Sequence, residues 1–566
     1  MVGNSPFIFT IHYVCPAGVF TVHYSQFAIR SSPFPNGIMP PMTQKDTPPP
    51  APAHLGQIAR AATLVMTLFV VSRVLGLARE MVIARQFGTS ADMDAYLAAF
   101  RLPDFLFYMV AGGALGSAFI PTFTGFLTRR DQPGAWRLAS AVINWVLLIL
   151  TALGGLAAVF APWLVALFFA DFSAAQQALT AELMRWMLVS TVIFGVSGVV
   201  MGILNAHQHF LLPAVAPVVY NIAIIGGAWL LGPIWGVRGL TAGVVLGALT
   251  HLLVQLPGLL RRRMHYRPVL AAGDPSLREV GRLMAPRVLG LAAVQLNFMV
   301  SAVLAAGLPP GSLTAFNYGW IIMLLPQGII AQSVATALFP TLAALAARGQ
   351  QTAMRRIFAA TLRNVLFLTL PAAVGLLILR EPIVRLLLQR GAFTAESTAA
   401  TAWALGFFAM GLVGHAVVEI VTRAFYALKN TQTPVIIGVA AMGINIGLSL
   451  GLMRLFAGWG WPPHGGLALA NSLAVLLETA ALLWLLRPLL GGLGDTGLRL
   501  AAGKMALAGT AMAAALLMLS PRLPAQPTWL GGLLGMGAGG AVYLAVAYAL
   551  KLDELQRVLR TILRHK

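Results

Sequence analysis

Cysteine is almost missing: Cys15 is the only one in 566 residues. That excludes a disulfide framework and a thiolate metal site. Charge is scarce as well. Asp, Glu, Lys and Arg make up 10% of the chain, against about 25% in soluble domains. Acids are the scarcest, 17 against 38 basic residues. There is no nucleotide-binding glycine loop, no His/Asp/Glu cluster at metal spacing and no Ser/His/Asp arrangement. No catalytic residue, metal or cofactor is therefore expected, and ATP-driven pumping by this chain alone is not expected either. Residues 1–53 lack a span-length apolar run and the basic start, apolar centre and cleavage site of a signal peptide. They end in a proline-rich stretch at 47–53 and read as a disordered tail, with Met39 or Met42 as an alternative first residue.

What is present is apolar. Hydrophobic residues make up 58% of the chain and mean hydropathy is +0.81, so the fold class is an all-α polytopic membrane protein. Fourteen candidate spans follow residue 58, centred near 70, 112, 149, 194, 222, 248, 295, 328, 371, 412, 444, 476, 510 and 539. The net charge of +21 sits in short loops between apolar runs, which excludes a nucleic-acid reading. Basic residues favour alternate loops by about three to one, which puts both termini in the cytoplasm.

The chain repeats itself. Arg73-Val-Leu-Gly-Leu-Ala78 recurs as Arg287-Val-Leu-Gly-Leu-Ala292, an offset of 214 residues. Phe119-Ile-Pro121 is echoed by Phe339-Pro340, Pro213 by Pro434, Asn221 by Asn445, and Gly239-Leu240 by Gly466-Leu467. Two six-helix halves follow, residues 54–263 and 264–490, related as a parallel pseudo-twofold repeat. Two extra C-terminal helices occupy 491–550, and a basic tail occupies 551–566.

Charge inside the first span is the most informative feature. Arg73, Arg79 and Glu80 lie in an otherwise apolar run from Ile58 to Phe87. An arginine at mid-depth costs at least about 2.5 kcal/mol unless it faces protein or water, so a cationic cavity is expected. On a straight helix Arg73 and Glu80 share a face and Arg79 points elsewhere. Gly76 between the arginines is a candidate bend. Asp94 opens the second span, where it is expected to pair with an arginine of the first and gate the outer mouth, with Arg101 two turns deeper. The cluster Gly112, Gly113 and Gly116 reads as a packing face or a hinge. Glu419 and Glu478 are intramembrane carboxylates, candidates for an ion or proton. Asn445 and Ser449 at i, i+4, with Asn471 in the next span, form a weak candidate sodium site. Gly531, Gly535 and Gly539 give the last span a close-packing face beside a possible groove for a lipid tail.

Ser72-Arg-Val-Leu-Gly-Leu-Ala-Arg-Glu80, Phe87-Gly, Asp94-Ala95, Ala99-Phe-Arg-Leu-Pro103 and Ala118-Phe-Ile-Pro121 resemble the MurJ (MviN) family. These are lipid II flippases of the multidrug/oligosaccharidyl-lipid/polysaccharide exporter superfamily. The resemblance covers about residues 55–550. It implies transport of a lipid-linked peptidoglycan precursor across the bacterial cytoplasmic membrane, by a non-enzyme that works as a monomer and binds no nucleic acid. Coupling to membrane potential, Na+ or H+ is implied too. Arg73 and Arg79 match the family's cavity arginines of helix 1, Asp94 matches its acidic residue at the start of helix 2, and Glu80 stands where members carry an acid. Two departures stand out. Many members carry further arginines where this chain has Phe105-Leu-Phe107-Tyr108 and Gly319-Trp-Ile-Ile-Met-Leu-Leu325. Two alternatives remain in the superfamily: an exporter of another polyprenyl-pyrophosphate glycan, or a drug/cation antiporter. A membrane-embedded polyprenyl-phosphate transferase is the alternative from another class.

Overall fold

The computed structural model describes residues 10–15, 18–23, 52–110, 118–262, 264–492, 497–522 and 528–556. A short antiparallel hairpin pairs β1 (Thr10–Cys15) with β2 (Gly18–His23). Both segments are rich in β-branched and aromatic residues, the composition that favours strands. The rest of residues 1–51 lies outside the described residues.

Everything else with regular structure is helical. The first half runs α1 (Pro52–Phe87), α2 (Ala91–Val110), α3 (Ile120–Thr128), α4 (Gln132–Val159), α5 (Ala161–Phe168), α6 (Ala174–Ala206), α7 (Leu211–Gly226), α8 (Gly232–Trp235), α9 (Val237–Leu253) and α10 (Leu256–Arg261). The second half continues with α11 (Pro275–Ala306), α12 (Ser312–Gln327), α13 (Ser333–Ala347), α14 (Gln351–Ile378), α15 (Arg380–Leu388), α16 (Ala395–Ala427), α17 (Gln432–Gly458) and α18 (His464–Leu489). The chain closes with α19 (Leu498–Leu519) and α20 (Thr528–Ala549). Every expected span centre except 112, which lies outside the described residues, falls within a helix.

Among the described residues, eleven helices are long and apolar enough to cross a membrane, twelve if the bent α11 is one span. The expected spans near 70 and 112 are not among these; both run into residues outside the described ones. Large apolar side chains stay exposed along these helices, among them Trp163, Trp229, Ile234 and Trp484. In water such a surface would aggregate; against lipid tails it is the solvated face.

The packing repeats as the sequence does. In the first half α2, α4 and α9 pack on α6, α9 packs on α7, and α7 packs on α1. In the second, α12, α14 and α18 pack on α16, α18 packs on α17, and α17 packs on α11. The two central helices both start with side-chain caps. Ser173 accepts from the Gln176 amide and Gln176 returns the bond, closing a capping box. Thr394 accepts from the Ser397 amide at the start of α16. The extra helix α20 lies on α19, where a side chain at Gly539 would press on Met512 and Leu516. Past α20, Arg363 reaches Glu554 at 3.1 Å. The rest of the basic tail lies outside the described residues.

Between the halves, α11 crosses over to pack on α2. A seam also closes at the end where α1 meets α2. The Ala392 amide donates to the Arg85 carbonyl at 2.8 Å, and the Thr89 and Ser397 hydroxyls lie 2.7 Å apart. Gly88 (φ +59°) turns the chain here, and a side chain on it would overlap the Ala392 carbonyl. Gly311 (φ +87°) meets the Thr89 carbonyl in the same way. Only glycine fits positive φ and backbone-to-backbone approach at once.

Candidate functional site

Helix α1 runs unbroken through Gly76, so the expected bend is not used. Gly76 instead faces open space, with no atom within 4 Å of where its Cβ would be. Arg79 and Glu80 are neighbours in sequence and, contrary to the expected split of faces, bond each other. The guanidinium donates through Nε at 3.1 Å and Nη2 at 2.5 Å to the same Glu80 oxygen. Long side chains let adjacent positions meet where the helix geometry of their Cβ atoms would not. Arg79 also donates through Nη1 to Asn221 of α7 at 3.1 Å, and Asn221 donates to the Pro217 carbonyl at 3.0 Å. Arg79 and Glu80 are both buried, at 4% and 8% exposure. The pair is thus neutral overall, satisfied, and ties α1 to α7.

Arg73 differs. It is half-buried, stands 5.2 Å over the Phe69 ring, and among the described residues has no ion pair or hydrogen bond. Its Nη1 lies 3.3 Å from the position a Cβ would take at Gly328, across the interface in the second half. Arg101 shares its helix face with Asp104 three residues on, and both carry buried side-chain atoms without a hydrogen bond, Arg101 Nε and Asp104 Oδ2. Glu80 offsets Arg79, which leaves Arg73 as the mid-span cation of α1 without a carboxylate partner among the described residues.

Asp94 does not pair with an arginine of α1. It is 2% exposed and accepts from the Gly311 amide at 2.6 Å, the Thr314 amide at 2.8 Å and the Thr314 hydroxyl at 2.6 Å. The first-half carboxylate therefore caps the N-terminus of the second-half helix α12. The unsatisfied amides and partial positive charge of a helix start attract an anion more cheaply than a distant arginine does. Gly112, Gly113 and Gly116 lie outside the described residues.

The ion-coupling candidates separate. Glu419, a candidate for an ion or proton, receives a bond from Arg423 one turn along α16 at 3.2 Å. Asn471 faces His415 Nε2 at 3.1 Å rather than joining Asn445 and Ser449. Asn445 donates to Asn297 of α11 at 3.0 Å, with Ser449 buried on the same helix. Among the described residues no three His, Cys, Asp or Glu side chains gather as a metal site. Glu478 has no ion pair among the described residues, and its carboxyl lies 3.5 Å from the Cβ position at Gly438.

Asn221 and Asn445, echoes of one another in the sequence, do the same work in the two halves: each holds a polar residue of the first helix of its half. Residues that carried no signal in the sequence are Gly311 and Thr314, which receive Asp94; Gln327 and Gln332 stand out in the sequence only as intramembrane amides. Gln327 precedes and Gln332 ends a π-helical turn, Gly328–Gln332, beside Arg73. A separate apolar cavity of about 610 Å³ lies between α2, α4 and α11, with Arg278 as its charged residue.

Comparison with known proteins agrees with this architecture. The family model described as "Lipid II flippase MurJ" matches residues 83–535. A relative from Bdellovibrio bacteriovorus, "Probable lipid II flippase MurJ", is 29% identical over 516 residues, 89% of this chain and 97% of its own length. The solved structure "Lipid II flippase MurJ, inward closed conformation" superposes with a TM-score of 0.74 at 26% identity, covering 87% of this chain and 99% of that one. An inward-facing MATE family transporter of the MOP superfamily shares the fold at a TM-score of 0.61 and 18% identity, covering 75% and 96%. This chain belongs to the MurJ family of lipid II flippases.

Proposed function

We propose that this chain moves lipid II, the lipid-linked peptidoglycan precursor, from the inner to the outer leaflet of the bacterial cytoplasmic membrane by alternating access. The observation that carries the reading is Arg73: a guanidinium at mid-span, unpaired among the described residues, at the interface of the two halves. A pyrophosphate needs a partner when it leaves water, and a guanidinium gives it a permanent charge and a two-pronged donor set. Arg79, Glu80 and Arg101 shape the same wall. Arg79 and Glu80 hold α1 in place, and Arg73 meets the anion.

Both termini face the cytoplasm in this reading, because the basic loops lie on that side. The Asp94 seam is then the closed outer gate, and the cavity receives its ligand from the inside. The halves rock about the cavity, breaking the seam to expose the headgroup outside. The chain acts as a transporter rather than an enzyme, and as a monomer. The lipid tail runs along α19 and α20. Coupling draws on membrane potential, Na+ or H+, with Glu478 the carboxylate best placed to take a proton.

The test is depletion–complementation in a bacterium whose own lipid II flippase can be shut off. The wild type restores lipid II to the outer leaflet and Arg73→Ala does not. Full transport by Arg73→Ala removes this site. Failure of a well-inserted wild type shifts the substrate to another polyprenyl-pyrophosphate glycan. The helix-1 arginines Arg73 and Arg79 favour that second reading over a cationic drug, which would call for an acidic cavity.

A further inference from the structure

The π-helical turn between α12 and α13 has no role in the charge arrangement described above. It runs Gly328–Gln332; Gln327 precedes it and Gln332 ends it, five residues apart. In an α-helix positions i and i+5 diverge by about 140°. A π turn, with its i→i+5 bonding, narrows that divergence, and such turns recur at functional sites. Gln327 and Gln332 are 7% and 8% exposed. Each keeps a side-chain carbonyl oxygen buried without a hydrogen bond. A buried acceptor left unpaired is costly, on the order of 1–3 kcal/mol, so two on one turn call for an explanation.

Their position supplies one. The space over Gly328 is flanked by Arg73 Nη1 at 3.3 Å and Gln332 Oε1 at 3.7 Å from the same Cβ position. A cation that asks for an oxyanion and an amide oxygen that asks for an N–H or O–H donor thus converge on one spot. They come from opposite halves of the molecule. A purely anionic ligand would satisfy the first and repel the second. A ligand with a pyrophosphate directly joined to a hydroxylated, N-acetylated sugar offers both.

We propose that Gln332, with Gln327 beside it, is a specificity-determining residue that accepts a hydrogen bond from the sugar next to the pyrophosphate while Arg73 holds the phosphate. This deepens the transport reading above and rests on it. The second half then reads the glycan and the first half reads the charge. Gly328 keeps the space between them open, since any side chain there would meet Arg73.

The experiment measures binding of two lipids to purified full-length protein in nanodiscs: lipid II, and undecaprenyl pyrophosphate, which lacks the sugars. Wild type binds lipid II more tightly. Gln332→Met, of similar shape but without the acceptor, weakens lipid II about 5- to 10-fold, the size of one lost hydrogen bond. It leaves undecaprenyl pyrophosphate unchanged. Arg73→Gln weakens both lipids. Thermal stability guards against misfolding: with its acceptor unpaired in the free protein, Gln332→Met melts at or above wild type, and Gln332→Asn serves as the polar variant. An unchanged lipid II affinity in a folded Gln332→Met, or an equal loss for both lipids, overturns the proposal and leaves the Arg73 reading standing. If wild type prefers neither lipid to a neutral polyprenol, the transport reading fails and this inference fails with it.

Discussion

Replacing Asp94 by Asn tests the seam that closes one end of the molecule. The carboxylate takes three hydrogen bonds of 2.6 to 2.8 Å, from Gly311 and Thr314, at 2% exposure. An asparagine keeps one acceptor oxygen and turns an NH2 toward an amide that also donates. Losing a charged acceptor is worth about 1.5–3 kcal/mol per bond, and losing a helix cap about 0.5–2. Not all of this adds, so a loss of about 2–4 kcal/mol from the closed state is expected, or about 30- to 700-fold in its equilibrium with the open state. Only bonds absent from the open state count. These join the two halves, so all three count. Gly76 gives the readout, because its missing side chain faces open space. With Cys15, the sole cysteine, changed to Ser, Gly76→Cys is the only thiol. A membrane-impermeant maleimide added from outside should label it slowly in the parent and at least ten times faster with Asp94→Asn. Equal labelling in equally expressed proteins would show that the cap is not what holds this end shut.

Arg79→Ala leaves Glu80 buried without its partner and should destabilise the protein by about 3–5 kcal/mol. Adding Glu80→Gln should recover most of the loss in a thermal melt, because the pair holds structure rather than ligand. At the basic loop after α6, burial and then Arg262 push the His207 imidazole below its usual 6.5. Burial, Arg262 and Arg261 do the same to His209. The unfolded chain then binds more protons between the lowered values and 6.5, so stability rises with pH across that window and is lost as pH falls through it. The melting temperature should fall between pH 7 and pH 5.5, and fall less in a His207→Asn/His209→Asn variant.

The span positions were legible because an apolar run of some twenty residues has one physical destiny. The repeat was legible because both halves keep the same residues where helices meet. Asn221 and Asn445 were visible as echoes, and their shared task of holding a polar group on the first helix of each half is geometric. The charges of α1 were legible as unusual, but their roles were not. Periodicity placed Arg73 with Glu80; side-chain reach instead paired Glu80 with Arg79, and Asn221, 142 residues away, completed the set. Asp94 finds its partners 217 and 220 residues away, and no local pattern carries that information. Glu419 and Arg423 were different. Their i, i+4 spacing on a helix was enough to predict the ion pair, and reading Glu419 alone missed it.

The arrangement of α1 explains why the molecule keeps a buried ion pair that carries no net charge. Arg79 and Glu80, through Asn221, fasten α1 to α7, so Arg73 moves with the first half as a rigid attachment. Gly328 and Gln332 belong to the second half. A ligand gripped by Arg73 alone would ride with one half and have no preference between closed and open states, and such a ligand shifts no equilibrium however tightly it binds. A ligand that also engages the π turn bridges the halves, and its binding free energy then depends on how they are set against each other. The seam fixed by Asp94, Thr89 and Ser397 is the interaction that this dependence must overcome. A cation on one half and a neutral acceptor on the other is therefore a reasonable division for a flippase: charge brings the ligand in, and the second contact makes its presence felt at the gate.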